Sequence, residues 1–267
     1  MFLLSGLVIL IDLAGGYLSL EFTRQNIFEY LELFLPALAI LLHAFWTLGN
    51  FRGIFLLLLA GLVGFAFEAA GVNFGTAFGS YYVYDIGGPA IWGVPLIVAA
   101  YWAVFIYTGY SLSNSFVYWL KGHKPSLVLK NYFLLPWLII LDGLFVVIID
   151  LFMDPVMVAW GRWRWLNGGP YFNIPLDNFV GWFLVAVIAT GIFRLFEYFK
   201  PKSIRLAREI YLIPVAGYLM IYLALLYFSL ELGMFKLSLI GSLLMLPVIV
   251  VNLILYFKMR RYKATEP

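Results

Sequence analysis

Apolar residues fill eight long runs of the chain, and the polar residues gather between them. The runs cover 3–20, 30–48, 54–70, 95–120, 127–152, 178–199, 209–230 and 235–257. A helix of ~20 apolar residues is what it takes to cross a bilayer. The pattern therefore predicts an all-α, polytopic membrane bundle of about eight transmembrane helices, with 1–267 forming one integral-membrane domain. The first run has no basic segment ahead of it and no small-residue cleavage site, so it reads as a span and not a leader.

Two connectors interrupt this pattern, 71–94 and 155–177. Both are long and rich in Gly, Pro and aromatics. Connectors of that length are more often functional or packed than idle. They also echo each other. Gly87-Gly88-Pro89 precedes Val94-Pro95-Leu96, and Gly168-Gly169-Pro170 precedes Ile174-Pro175-Leu176. Each lies between a span that ends in an acid and a span with an early tryptophan, Trp102 or Trp182. A duplicated helix–loop–helix unit would give this pattern. The aromatics of both loops also suit the interfacial belt of a membrane protein.

Charge fixes an orientation. Of the 17 Lys and Arg, all but Arg24, Arg162, Arg164 and Lys236 fall on one side of the spans. By the positive-inside rule both termini are then cytoplasmic, in the cytoplasmic membrane, and the two structured loops lie outside. Composition agrees: 64% of residues are hydrophobic and 12% charged, against ~25% charged in a soluble domain. A soluble enzyme and a nucleic-acid binder are both excluded. There is no cysteine, so thiolate metal sites and cysteine nucleophiles are excluded too. Two histidines, His43 and His123, are too few for a di-iron or haem site. No glycine-rich nucleotide fingerprint and no P-loop is present. Neither a metal nor a redox cofactor is expected.

The acids carry the candidate chemistry. An ionised carboxylate at mid-bilayer costs ~2.5–3.5 kcal/mol on the insertion scale, so intramembrane acids default to a functional reading. Glu68, Asp85, Asp150, Asp154 and Asp177 map toward the outer leaflet, Asp142 lies deeper, and Asp12 is alone in the first span. Asp150 and Asp154 stand ~40° apart on one helical face. Two like charges so close in an apolar site do not both ionise easily, which gives a protonated acid beside an ionised partner. That is the composition of a general acid–base pair. The bland alternative is a structural carboxylate pair bound by Arg162, Arg164 or loop amides. Pro155 is expected to end the helix at Asp154.

These segments resemble the integral-membrane carotenoid biosynthesis family that includes the carotenoid 1′,2′-hydratases and the bisanhydrobacterioruberin hydratases. The first matching block is Glu68, Gly71, Gly75, Phe78-Gly79-x-Tyr81 and Gly93-Val94-Pro95-Leu96. The second is Asp150-x-x-x-Asp154-Pro155, Gly161-x-Trp163-x-Trp165 and Ile174-Pro175-Leu176-x-Asn178-Phe179-x-Gly181-Trp182. Ile149 stands where the resemblance leads one to expect an aromatic, which would fit a different substrate end group. The resemblance implies hydration of the terminal C=C of an acyclic carotenoid end group, C40 or C50, to a tertiary alcohol, with no cofactor. It implies Asp150 or Asp154 as the acid, with the other member or Glu68 orienting the water. Tyr81, Tyr82, Trp160, Trp163 and Trp165 would line the cation, with Asn178, Trp182, Asp142 and Arg162 completing the substrate site. The carotenoid would enter from the surrounding membrane lipid, with no nucleic-acid partner.

Three other readings compete. A carotenoid cyclase makes the same cation and quenches it with a neighbouring double bond. A Mg²⁺-dependent prenyltransferase uses Asp-x-x-x-Asp spacing, but needs a second acidic cluster and more basic residues than Arg162 and Arg164. A proton-coupled transporter would place its broken helices mid-membrane, whereas these Gly/Pro-rich segments lie at the surface.

Overall fold

The computed structural model describes residues 27–121, 133–202 and 206–264. The expected first span with Asp12, and the loop of His123, lie outside the described residues. Among the described residues seven helices follow in order: α1 Ile27–Leu48, α2 Asn50–Phe74, α3 Leu96–Lys121, α4 Leu135–Ala159, α5 Leu176–Phe199, α6 Ile213–Glu231 and α7 Phe235–Ala264. A 3₁₀ turn, Arg208–Leu212, leads into α6. Among the described residues, six helices are long and apolar enough to cross a membrane, and the shorter apolar stretch Leu38–Leu48 lies in α1. The protein is thus built as an integral membrane protein.

The surface confirms the solvent. On α2, Phe51, Ile54, Leu58 and Leu62 are exposed at helical spacing, and on α5 Val180, Leu184, Ile188 and Ile192 repeat the pattern. Apolar stripes of this extent face lipid, since water would penalise them. The polar residues His43, Glu68, Asp142, Asp150, Asp154, Asn178, Arg194 and Glu197 are buried instead.

The helices approach where side chains are small. A Cβ on Gly64 would stand 2.2 Å from Trp102, so only glycine lets α3 seat that indole against α2. Gly49 separates α1 from α2 with φ 81°, an angle that favours glycine, and its N–H bonds the Phe45 carbonyl at 2.9 Å.

The two long connectors pair with each other. Strand β1, Tyr82–Tyr84, runs antiparallel to β4, Trp163–Trp165, in the register Tyr82↔Trp165 and Tyr84↔Trp163. Between them in sequence, β2 Ala90–Ile91 and β3 Val94–Pro95 form a hairpin whose turn residues, Trp92 and Gly93, both have positive φ. Phe172 and Asn173 do the same between Tyr171 and Ile174. Two positive-φ residues are what a tight hairpin turn requires. The sequence echo is therefore structural: helix, strand, two-residue turn, Pro-Leu, helix, first as α2–α3 and again as α4–α5.

Helix α4 departs from expectation. It does not stop at Asp154 but carries Pro155 inside it and runs on to Ala159. A proline within a helix strips the carbonyl four residues back of its donor. Here that carbonyl is Leu151, and the Tyr171 hydroxyl bonds it at 2.8 Å. The second connector thus supplies the bond that Pro155 cannot.

Candidate active site

Three buried acids meet beneath the β1–β4 ribbon. Glu68 lies one and a half turns before the end of α2. Its Oε2 accepts from the Tyr82 hydroxyl and from the Tyr84 hydroxyl at 2.6 Å, and its Oε1 accepts from the Trp102 indole at 2.8 Å. Helix α2 prepares this by spacing. Gly64 and Gly71 flank Glu68 on one face, Gly64 yields to Trp102, and a Cβ on Gly71 would collide with the Tyr82 ring. Burial first, then the charge of Glu68, holds the Tyr82 and Tyr84 phenols well above their ordinary value, so both remain donors.

On α4, Asp150 and Asp154 point into the same space, one turn apart. Asn178 of α5 bridges them, its Nδ2 donating to Asp150 Oδ2 at 3.0 Å and to Asp154 Oδ2 at 2.7 Å. The two carboxyls also lie within hydrogen-bonding range of each other, and Trp163 within range of Asp154. All three side chains are almost wholly buried, at 0%, 2% and 1% exposure. One atom has no partner in this set: Asp150 Oδ1. A buried carboxyl oxygen left unpaired is costly, and in a substrate site it is the atom free to act.

Aromatic rings close the site. Strand alternation turns Tyr82, Tyr84, Trp163 and Trp165 inward and leaves Tyr81, Val83 and Arg164 exposed. Tyr82 packs on Trp165 with centroids 5.5 Å apart and Tyr84 on Trp163 at 5.8 Å. Trp102 and Trp182, the paired tryptophans of the echo, lie 4.1 Å apart. Acids, phenols and indoles are thus packed into one buried cluster.

A family model described as a carotenoid biosynthesis protein matches residues 28–248. The chain belongs to that family. No curated protein matches it, and neither does any solved structure. Membership makes this an enzyme of carotenoid biosynthesis.

Of the residues singled out in this carotenoid biosynthesis protein from sequence, the structure brings together Glu68, Asp150, Asp154, Tyr82, Trp163, Trp165, Asn178 and Trp182. It sets four apart. Tyr81 is exposed, because the strand's parity points it away from Glu68. Arg162 is exposed, its carbonyl accepting from the Asp85 amide at 2.7 Å. Trp160 is 37% exposed and packs edge-on to Phe228 of α6 at 4.5 Å. Asp142 lies ~12 Å further along α4, in another network. Arg194 of α5 grips it bidentately, Nε to Oδ2 at 2.5 Å and Nη2 to Oδ1 at 2.7 Å, and Ser113 donates to it as well. With its acceptors taken, Asp142 is a packing partner across α3, α4 and α5. Asp85 and Asp177 are exposed and stand outside the cluster.

Two members of the cluster were not foreseen, Tyr84 and Trp102. The run Tyr82-x-Tyr84 mirrors Trp163-x-Trp165, and that shared period of two was the available signal. Trp102 was noticed only for its place in the echo. Its indole N–H is one of the three donors that a buried Glu68 requires.

Proposed function

We propose that this enzyme is a hydratase that adds water across the terminal C=C of an acyclic carotenoid, leaving a tertiary alcohol. The observation that carries the reading is the Asn178-bridged Asp150–Asp154 pair, buried under aromatic rings, with one carboxyl oxygen unpartnered.

The chemistry follows from the geometry. Asn178 offers both its N–H groups to the pair, so the two carboxyls share the remaining hydrogen-bonding need, and one proton between them meets it. The protonated member gives that proton to the less substituted carbon of the terminal C=C, and the π electrons form the new C–H bond. A tertiary cation remains on the neighbouring carbon. Ring faces stabilise such a cation by ~2 kcal/mol each when dry, and Trp163, Trp165, Tyr82 and Tyr84 supply those faces. Glu68, held by three donors, fixes Tyr82, Tyr84 and Trp102 around the pair. A water then attacks the cation, and the ionised member of the pair takes its proton. The pair ends as it began, with its roles exchanged.

Placement supports the reading. By the positive-inside rule the basic ends of the helices face the cytoplasm, which sets the acids toward the outer level of the bilayer, where a polyene dissolved in lipid can reach them. The exposed positions of Arg162 and Arg164 leave the Asp pair without the cations a diphosphate would need, which disfavours a prenyltransferase.

Expression in a bacterium that accumulates an acyclic carotenoid tests the proposal. The expected product gains one or two waters by mass and keeps its polyene absorption. An unchanged mass with a shifted spectrum would overturn it in favour of cyclisation.

A further inference from the structure

A polar cavity of about 100 Å³ lies at the basic end of the bundle, opposite the acid cluster. Its walls include His43 of α1, Tyr107, Tyr110 and Asn114 of α3, and Glu197 of α5, and Arg52 and Lys202 stand around it. Nothing in the proposed hydration uses it.

Most of its polar atoms are already satisfied. His43 Nε2 bonds the Ile210 carbonyl at 3.2 Å, which makes Nδ1 the acceptor for the Tyr107 hydroxyl at 2.8 Å. Asn114 Oδ1 accepts from Arg194 at 3.1 Å. Glu197 is the exception. Its Oε1 accepts from the Tyr110 hydroxyl at 2.8 Å, but its Oε2 is buried without a partner. Glu197 itself is only 2% exposed. The cavity therefore holds an acceptor in want of a donor. Arg52 and Lys202 disfavour a cationic donor, and Glu197 disfavours an anion. A neutral hydroxyl meets both conditions.

Three helices take part in both sites. Glu68 of α2, Trp102 of α3 and Asn178 of α5 mark one end, and Arg52, Tyr110 and Glu197 mark the other. Along α5, Asn178 and Glu197 are separated by ~28 Å of helix rise, close to the ~30 Å of a bilayer's apolar core. Between the sites lie Tyr101, which packs against the core clusters at both ends, and the buried Asp142–Arg194 pair.

We propose that this cavity binds the hydroxyl-bearing end of a long, membrane-dissolved molecule, and that its occupant is a carotenoid already hydrated at one end. Glu197 Oε2 accepts from that hydroxyl, and the unreacted end lies at the Asp150–Asp154 pair. This inference rests on the hydratase reading. Its consequence is an ordering: the half-hydrated molecule docks in register for its second hydration. A polyol lipid headgroup offers the same chemistry and is the competing source.

Binding tests this independently of turnover. The purified full chain in phosphatidylcholine vesicles is titrated with an acyclic carotenoid and with its mono-hydroxylated form, read by quenching of tryptophan fluorescence. The hydroxylated form should bind about tenfold tighter, the worth of one charge-assisted hydrogen bond. Glu197→Leu should abolish that preference. Ser111→Leu should do the same by filling the cavity from α3, and since the Ser111 hydroxyl bonds only its own helix at Thr108, the fold is spared. Equal binding of the two pigments by the unaltered chain overturns the inference, as does a preference that survives both substitutions. A glycolipid that co-purifies with the unaltered chain but not with either variant also overturns it, in favour of the lipid. If the preference is found but neither pigment gains water, the cavity stands and the hydratase reading falls.

Discussion

At the residue scale, function concentrates in few atoms. Asp150→Asn and Asp154→Asn each remove a proton carrier while keeping shape, and each should lower hydration by ~10²–10⁴-fold, measured as product per unit of folded protein. Asn178→Leu should do comparable harm without removing an acid, since it uncouples the pair. The clamp on Glu68 has its own signature. Tyr82 and Tyr84 hold their protons above the ordinary phenol value because of burial and the Glu68 charge. A phenol whose folded value is raised lends stability that is complete below its unfolded pKa of ~10 and lost as the pH climbs through the folded value. Thermal midpoints should therefore fall from about pH 10 upward, and should fall less in Tyr82→Phe/Tyr84→Phe. A midpoint with the same alkaline slope in that variant would contradict the clamp.

The same scale shows what was legible in the sequence and what was not. Asp150 and Asp154 fall on one face by helical spacing alone, and intramembrane acids announce themselves by cost. Asn178 as their bridge depends on how α4 and α5 pack, which spacing does not state. The parity that turns Tyr84 inward and Tyr81 outward is set by the pairing of two distant loops, which neither loop's sequence states alone. Asp142 was grouped with the substrate site because Arg194 was counted as a charge at a span end. Yet Arg194 lies inside an apolar run that continues to Phe199, and a buried guanidinium requires a buried acid.

At the element scale, lipid makes spans easy to read and their ends hard. Continuous apolar runs are imposed by the solvent, so α2, α3, α5, the 3₁₀–α6 unit and α7 lie where hydropathy put them. Helix α4 begins and ends later than expected, because Pro155 was read by its local rule while its remedy, Tyr171, sits in another segment. A double-mutant cycle tests this remedy. Tyr171→Phe should cost ~1–2 kcal/mol by stranding the Leu151 carbonyl. In a Pro155→Ala background the restored N–H takes that carbonyl, and the same change should cost much less. Equal costs in both backgrounds would show that the hydroxyl does not serve the proline. Gly64→Ala belongs to this scale too. Its methyl would enter the Trp102 ring, so ~1–3 kcal/mol of destabilisation is expected, together with loss of hydration as Glu68 loses a donor.

At the scale of the whole molecule, two helix–strand–turn–helix units meet through β1 and β4, and the acids lie where they meet. Glu68 occupies in the first unit the place Asp154 occupies in the second, each about one and a half turns before its helix ends. The shared design explains why two unremarkable loops echo each other in sequence. Orientation is testable at this scale because the chain has no cysteine. A single cysteine at exposed Gly87 should react with an impermeant thiol reagent on intact cells, and one at exposed Lys200 only after the membrane is opened. The most direct test of the central claim uses the purified protein in vesicles, an acyclic carotenoid, and water enriched in heavy oxygen. The account predicts one heavy oxygen per hydrated end, an unchanged polyene spectrum, and no incorporation by Asp150→Asn/Asp154→Asn. A pigment that leaves without heavy oxygen, or a doubly substituted chain that incorporates it as fast as the unaltered one, would contradict it.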